Sequence, residues 1–196
     1  MKKILLTLTA VAGITFASQA QTEAGKTMIG GGVSFETQSV KDSDYKNNSF
    51  SILPQVGFFV ADNIAVGARL GYAWSEEKES SDDKFATSEF VVAPFGRIYQ
   101  GDGQVKFFGQ LSAPMSWGTV KEDGDKTATT ANYGVALAPG IAYFPTEKIG
   151  IELSVRGLYF ESQTSKNEAT DAKRTVNNFG LNVNSLAPTL GVQFHF

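Results

Sequence analysis

Cysteine is missing from the sequence altogether, and histidine occurs once, as His195. The first absence excludes disulfides and thiolate metal sites. The second leaves a Ser–His or Asp–His catalytic device with a single candidate next to the chain end. A basic excess is lacking too: 17 Lys and Arg stand against 20 Asp and Glu, which argues against a nucleic-acid partner. Beyond residue 20, no apolar run approaches the roughly 20 residues a membrane-spanning helix needs. Any crossing of a bilayer therefore has to be made by strands.

What is present begins with a leader. Lys2 and Lys3, the apolar stretch Ile4 to Phe16 and the small-residue site Ser18-Gln19-Ala20 have the layout of a secretory signal peptide. The stretch is too short to span a bilayer, and cleavage is expected after Ala20. Residues 1–20 then form the signal peptide and residues 21–196 a single domain, with no Pro- or Ser-rich linker dividing it. The composition of that domain favours strands. Twenty glycines, 15 phenylalanines, six tyrosines and a mean hydropathy of −0.12 suit half-apolar strands better than helices.

Periodicity supports this. In Ile64 to Trp74 the bulky residues Ile64, Val66, Leu70, Tyr72 and Trp74 share one parity, while Ala65, Gly67, Arg69, Gly71 and Ala73 occupy the other. Alternation of period two is the mark of a strand with two different environments. Val105 to Trp117 repeats it, with Phe107, Leu111, Met115 and Trp117 opposite Lys106, Phe108, Gln110 and Ser116. Ile149 to Tyr159 does so again, with Ile151, Leu153, Val155 and Tyr159 opposite Glu152, Ser154 and Arg156.

Strands of a second kind each carry a proline on the apolar parity: Pro54, Pro94, Pro139 and Pro188, recurring about once per hairpin. Proline lacks the N–H a central strand needs. A shared local irregularity, such as a bulge that helps a sheet curve, is the physical reading; a family habit is the other. With a first strand near 26–38, eight strands are expected, the others near 49–60, 64–75, 88–100, 104–117, 132–144, 148–160 and 178–196. Connections at 61–63, 101–103 and 145–147 are short turns; those at 39–48, 76–87, 118–131 and 161–177 read as long polar loops. This alternation matches the periplasmic and extracellular ends of an outer-membrane barrel.

Eight two-faced strands also fit a soluble lipocalin-like carrier with its apolar face turned inward around a greasy ligand. Two features favour the membrane. The apolar face is nearly free of charge along every strand, while the other is small and mixed. Aromatic residues of the apolar parity gather at strand ends: Trp74, Trp117 and Tyr159 toward the long connections, Phe58, Tyr143 and Phe194 toward the short ones. These read as two interfacial girdles. The fold expected is an all-β, eight-stranded antiparallel up-and-down transmembrane β-barrel, integral to the bacterial outer membrane and in contact with its lipids.

The leader, the eight strands, the alternating connections and the final strand Leu186-Ala-Pro-Thr-Leu-Gly-Val-Gln-Phe-His-Phe196 resemble the small OmpA/OmpX-like outer-membrane β-barrel family. Ala93-Pro-Phe-Gly-Arg-Ile-Tyr99 resembles a stretch common in its outer-membrane β-barrel domain proteins. The resemblance covers essentially the whole mature chain and rests on pattern more than on one motif. It implies that the terminal Phe196 is the signal read by the barrel-assembly machinery. The peptidoglycan-binding domain of the full OmpA type has no counterpart in this sequence.

Catalytic residues, cofactors and metal ligands are not expected. His195 reads as a residue of interior parity near the periplasmic rim, and the acidic run Glu76-Glu77-Lys78-Glu79 with Asp82-Asp83 lacks calcium-loop spacing. Gly30-Gly31-Gly32 lacks the Lys-Ser/Thr and helix of a phosphate loop. Arg69, Arg97, Lys106, Glu152 and Arg156 are expected to form an interior polar network, with Glu36 and Glu89 near its upper end. A barrel of this size is filled by side chains, so open conduction is not expected. The function expected is non-enzymatic: a structural or surface role through four long loops facing an extracellular ligand or surface. Two alternatives stay open. One is a barrel enzyme acting on outer-membrane lipid with a catalytic group other than histidine; the other is the soluble carrier.

Overall fold

A computed structural model describes residues 22–41, 45–78, 84–183 and 189–196. The expected leader at 1–20, the acidic residues Glu79, Asp82 and Asp83, and Pro188 lie outside these. Eleven strands are found among the described residues: β1 (Thr27–Ser39), β2 (Lys46–Ala61), β3 (Ile64–Lys78), β4 (Lys84–Gln100), β5 (Val105–Ser112), β6 (Met115–Glu122), β7 (Asp125–Thr146), β8 (Ile149–Ser154), β9 (Gly157–Asn167), β10 (Lys173–Asn182) and β11 (Thr189–His195). β5 and β6 are two halves of one crossing, as are β8 and β9, and β10 and β11. The result is eight antiparallel crossings, closed where β11 pairs with β1 through Met28↔His195 to Gly31↔Val192. Reciprocal backbone bonds of 2.9 Å between Thr27 and Phe196 extend that seam to the last residue.

The faces sort as the parity predicts. Ile64, Val66, Leu70, Leu111, Leu137, Ile141 and Leu153 are exposed on the outer surface, and their neighbours in sequence turn inward. This fits a sheet whose solvent on the outside is hydrocarbon. The short turns are tight: Asn63 takes a left-handed φ of 64° between β2 and β3, and Gly101 and Gly103 take 120° and 78° between β4 and β5.

The opposite end departs from the expectation of long loops. Residues 118–131 are a strand hairpin: β6 and β7 pair from Met115↔Tyr133 to Glu122↔Asp125, leaving Asp123-Gly124 as a two-residue turn with φ of 51° and 94°. Both positive angles match the type I′ turn for which Asp-Gly is suited. Residues 161–177 likewise hold the ends of β9 and β10, which pair to Lys166↔Lys173, so the last crossing starts at Lys173 rather than near 178. β7 is 22 residues long, about twice a membrane-crossing strand. Its apolar positions run from Tyr133 to Tyr143, and the stretch Asp125 to Asn132 is polar, so the sheet continues past the membrane as tall hairpins.

Of the recurring prolines that are described, Pro94 and Pro139 face an irregularity in the strand that follows them, and Pro54 faces one in the strand before it. Opposite Pro94, β5 gives way to β6 at Ala113-Pro114, whose Ala113 N–H donates to the Pro94 carbonyl at 3.0 Å. Opposite Pro139, β8 gives way to β9 at Val155-Arg156, and Val155 N–H donates to the Pro139 carbonyl at 3.1 Å. The register also changes there, from Gly140↔Ser154 to Leu137↔Leu158, so one extra residue sits in the second strand. Gly157, at φ 65°, absorbs the bend. On its β1 side, Pro54 faces Gly31, whose φ is 135°.

Candidate functional site in the barrel lumen

The lumen is built in layers, starting from an aromatic floor at the short-turn end. Met28, Phe59, Phe144 and His195 are fully buried there, with Tyr99 and Phe108 above them. The His195 ring lies 5.3 Å from Phe144, edge-on, and 5.7 Å from Phe59. His195 thus lies inside the barrel at the short-turn end, as its parity suggested, and is packed into the floor at 2% exposed. The floor arises from aromatic neighbours in sequence: Phe58-Phe59, Phe107-Phe108 and Tyr143-Phe144 each send one ring to lipid and the next into the lumen. The sequence reading placed Phe108 inside and left Phe59 and Phe144 unassigned, although alternation from the lipid-facing Phe58 and Tyr143 turns both inward.

Beneath the floor, the first described residues fold across the mouth. Lys106 Nζ donates to Thr22 Oγ1 at 2.6 Å and to Asn63 Oδ1 at 3.0 Å. Asn63 N–H donates to the Thr22 carbonyl at 2.6 Å, and Gly25 N–H to Phe59 at 2.8 Å. Lys106 therefore belongs to this strap and stands apart from the arginine network in which it was expected, since it is the first inward position of β5.

Above the floor lies the arginine layer. Arg97 Nη1 donates to Glu152 Oε1 at 2.6 Å in an ion pair whose side chains are 4% and 6% exposed. The same guanidinium donates to the Tyr99 hydroxyl at 2.8 Å, and through Nε and Nη2 to Gln110 Oε1 at 2.9 and 2.7 Å. The Tyr99 hydroxyl in turn donates to Glu152 Oε1 at 3.1 Å, and the Phe108 ring centroid lies 4.3 Å from the Arg97 carbon. Arg97 is thus held by a carboxylate, two neutral oxygens and an aromatic face, which offsets the cost of its burial. Arg69 is adjacent but paired differently: its Nη2 donates to Gln55 Oε1 at 3.0 Å.

Arg156 is the second departure. It pairs with Glu161, not Glu152, and its guanidinium stacks on Tyr159 with 3.8 Å between carbon and ring centroid. Tyr159 itself faces the lumen. It aligns with Ala136 and Gly180, whereas Leu158 and Phe160 are the exposed residues of that segment. The extra residue at Val155-Arg156 inverts the alternation, so Tyr159 does not belong to the girdle to which simple parity assigned it. The remaining girdle residues stay on the outer face. Trp117 donates through Nε1 to Tyr133 Oη at 3.2 Å at the upper level, while Phe58, Tyr143 and Phe194 are exposed at the lower. Trp74 aligns with the exposed Phe50 across β2 and β3.

Glu89 forms a third polar cluster, accepting from Ser116 and, at 2.9 Å, from Asn132 Nδ2. Glu36 is exposed on β1 and joins no such cluster. Between the arginine layer and Arg156 lies a cavity of about 530 Å³, walled by Gln55, Arg69, Arg97, Glu152 and Gln193 among others. Chemically this is a set of polar anchors over an apolar floor. Among the described residues no group of three His, Cys, Asp or Glu side chains is placed to hold a metal ion.

A family model described as outer membrane protein beta-barrel domain matches residues 6–194. Among solved structures the chain is similar to the crystal structure of Neisserial surface protein A, with a TM-score of 0.50 and 11% identity over 88% of this chain and 98% of that one. At that identity the likeness concerns the fold. No curated protein matches the chain in sequence.

Proposed function

From the premise that this chain belongs to the outer membrane protein beta-barrel domain family and lies in the bacterial outer membrane, we propose that it is a non-enzymatic barrel that presents its tall hairpins to partners outside the cell. The observation that carries this is the asymmetry of its two ends. One end is closed by short turns and an aromatic floor, while at the other the paired strands β6–β7 and β9–β10 continue past the Trp117–Tyr133 girdle. Continued pairing favours rigidity: each tip is held by a ladder of backbone bonds, a suitable platform for recognition. The girdles are the contacts with outer-membrane lipid. Phe196, exposed at the end of the closing seam, is the residue we assign to the barrel-assembly machinery.

The test is complementation of a deletion strain by the full chain and by a version in which the β6–β7 and β9–β10 hairpins are cut back to the girdle. Surface binding restored by the full chain alone, with both versions folded, supports the proposal. Equal restoration of envelope integrity by both versions, with no surface-binding difference, would reduce the role to a structural one. A change in lipid A acylation that depends on the protein would replace it with an enzyme.

A further inference from the structure

We propose that the luminal cavity binds a small organic anion that also carries a hydroxyl, a hydroxycarboxylate being the simplest member of the class. Three features of the wall point to this. First, its cations are unequally matched. Arg97 has Glu152 and Arg156 has Glu161, but no carboxylate lies within ion-pair distance of Arg69 among the described residues, and its guanidinium bonds only to the neutral Gln55. Second, two buried amide groups have no hydrogen-bond partner among the described residues: Gln55 Nε2, a donor, and Gln193 Oε1, an acceptor. Their residues are 3% and 5% exposed. Buried polar atoms without partners are uncommon, and each needs an explanation such as a bound molecule.

Third, the two amides are brought to one place by the register. Gly30 aligns with Gln55 on one side and with Gln193 on the other, so both project inward at one level across a residue without a side chain. A Cβ at Gly30 would overlap the Gln193 amide. The wall therefore offers one guanidinium and one N–H donor beside one acceptor. A carboxylate held by Arg69 would satisfy the charge; with a turn of the two enclosed glutamine side chains toward the cavity, Gln55 Nε2 would donate to the same carboxylate and the ligand's hydroxyl would donate to Gln193 Oε1. The volume of about 530 Å³ lies within the usual range for small-molecule pockets. The aromatic floor blocks the periplasmic side, so the solute enters from the side of the tall hairpins.

The experiment is a titration of the refolded mature barrel in detergent micelles with L-lactate and with gluconate, at ionic strength held constant with sodium chloride. It is followed by NMR of the Gln55 and Gln193 side-chain amides and the Arg69 Nε–H. Saturable shifts at these groups with a millimolar dissociation constant are expected, weakened about tenfold in Arg69→Gln. Gln193→Met is expected to weaken the hydroxycarboxylates toward the affinity of acetate, which lacks the hydroxyl. It also serves where the arginine variant does not fold. Shifts that fail to saturate, that sodium chloride reproduces, or that persist unchanged in the folded variants would overturn the proposal and leave the two amides to bound water.

Discussion

Replacing Glu152 with alanine removes the only carboxylate paired with the buried Arg97, and the consequence follows from the geometry. The pair is 2.6 Å apart with both side chains almost fully enclosed, so the guanidinium cannot recover water when its partner is lost. Gln110 and the Phe108 face remain, but both are neutral. Breaking a buried pair from one side costs about 3–5 kcal/mol. With a denaturant slope of roughly 2 kcal/mol per molar, that corresponds to a fall of about 1.5–2.5 M in the urea midpoint. Glu152→Gln keeps an acceptor for Arg97 and should lose less, about 1–3 kcal/mol. Exchanging both partners for methionine should come close to neutral, because an apolar pair needs no desolvation. The assay is urea unfolding in lipid vesicles followed by the emission of Trp74 and Trp117, with gel mobility as a second probe. An unchanged midpoint for Glu152→Ala, with an unchanged slope, would falsify the claim that the ion pair is buried in the folded barrel.

Three further outcomes are expected. Leu111→Arg, in the middle of the outer face opposite Leu137, should destabilise the barrel by about 2–4 kcal/mol, whereas Ser112→Arg on the luminal side should have a smaller effect; paired vesicle-unfolding curves compare them. Tryptophan placed at 160 should be quenched by brominated lipid and tryptophan at 159 should not, because the register change at Val155-Arg156 turns Tyr159 inward; quenching at 159 alone would restore uninterrupted alternation. Lys106→Met removes two bonds that hold the strap over the mouth, so amide exchange at 22–26 should accelerate by about one to two orders of magnitude while the barrel core stays protected.

The architecture was legible because a strand's period is two and its outer solvent is apolar, so Ile64 to Trp74 declares both its conformation and its faces. Where the alternation is broken the reading went astray. Tyr159 was placed on the wrong face because one extra residue at Val155-Arg156 leaves no mark in composition; Gly157 was the available sign of a bend. The β6–β7 hairpin was hidden by its polar residues, which suit solvent whether or not the backbone is paired. Asp123-Gly124 was its signature. Of the interior network, the Arg97–Glu152 pair was accessible by inference from buried charges of opposite sign. The separation of Lys106 depends on height along the barrel, and the pairing of Arg156 with Glu161 on the inverted face, neither of which parity encodes. The aromatic floor was legible in the same alternation, which turns Phe59 and Phe144 inward from Phe58 and Tyr143, but was left unassigned.

Closure of these strands into one barrel with lipid outside is tested most directly by the gel mobility of the protein in the outer-membrane fraction with and without boiling. A closed barrel resists detergent at room temperature, so a heat-dependent shift is expected of a band found in that fraction. A protein recovered from the soluble periplasm with no such shift would contradict it, and would turn the apolar faces inward around a ligand.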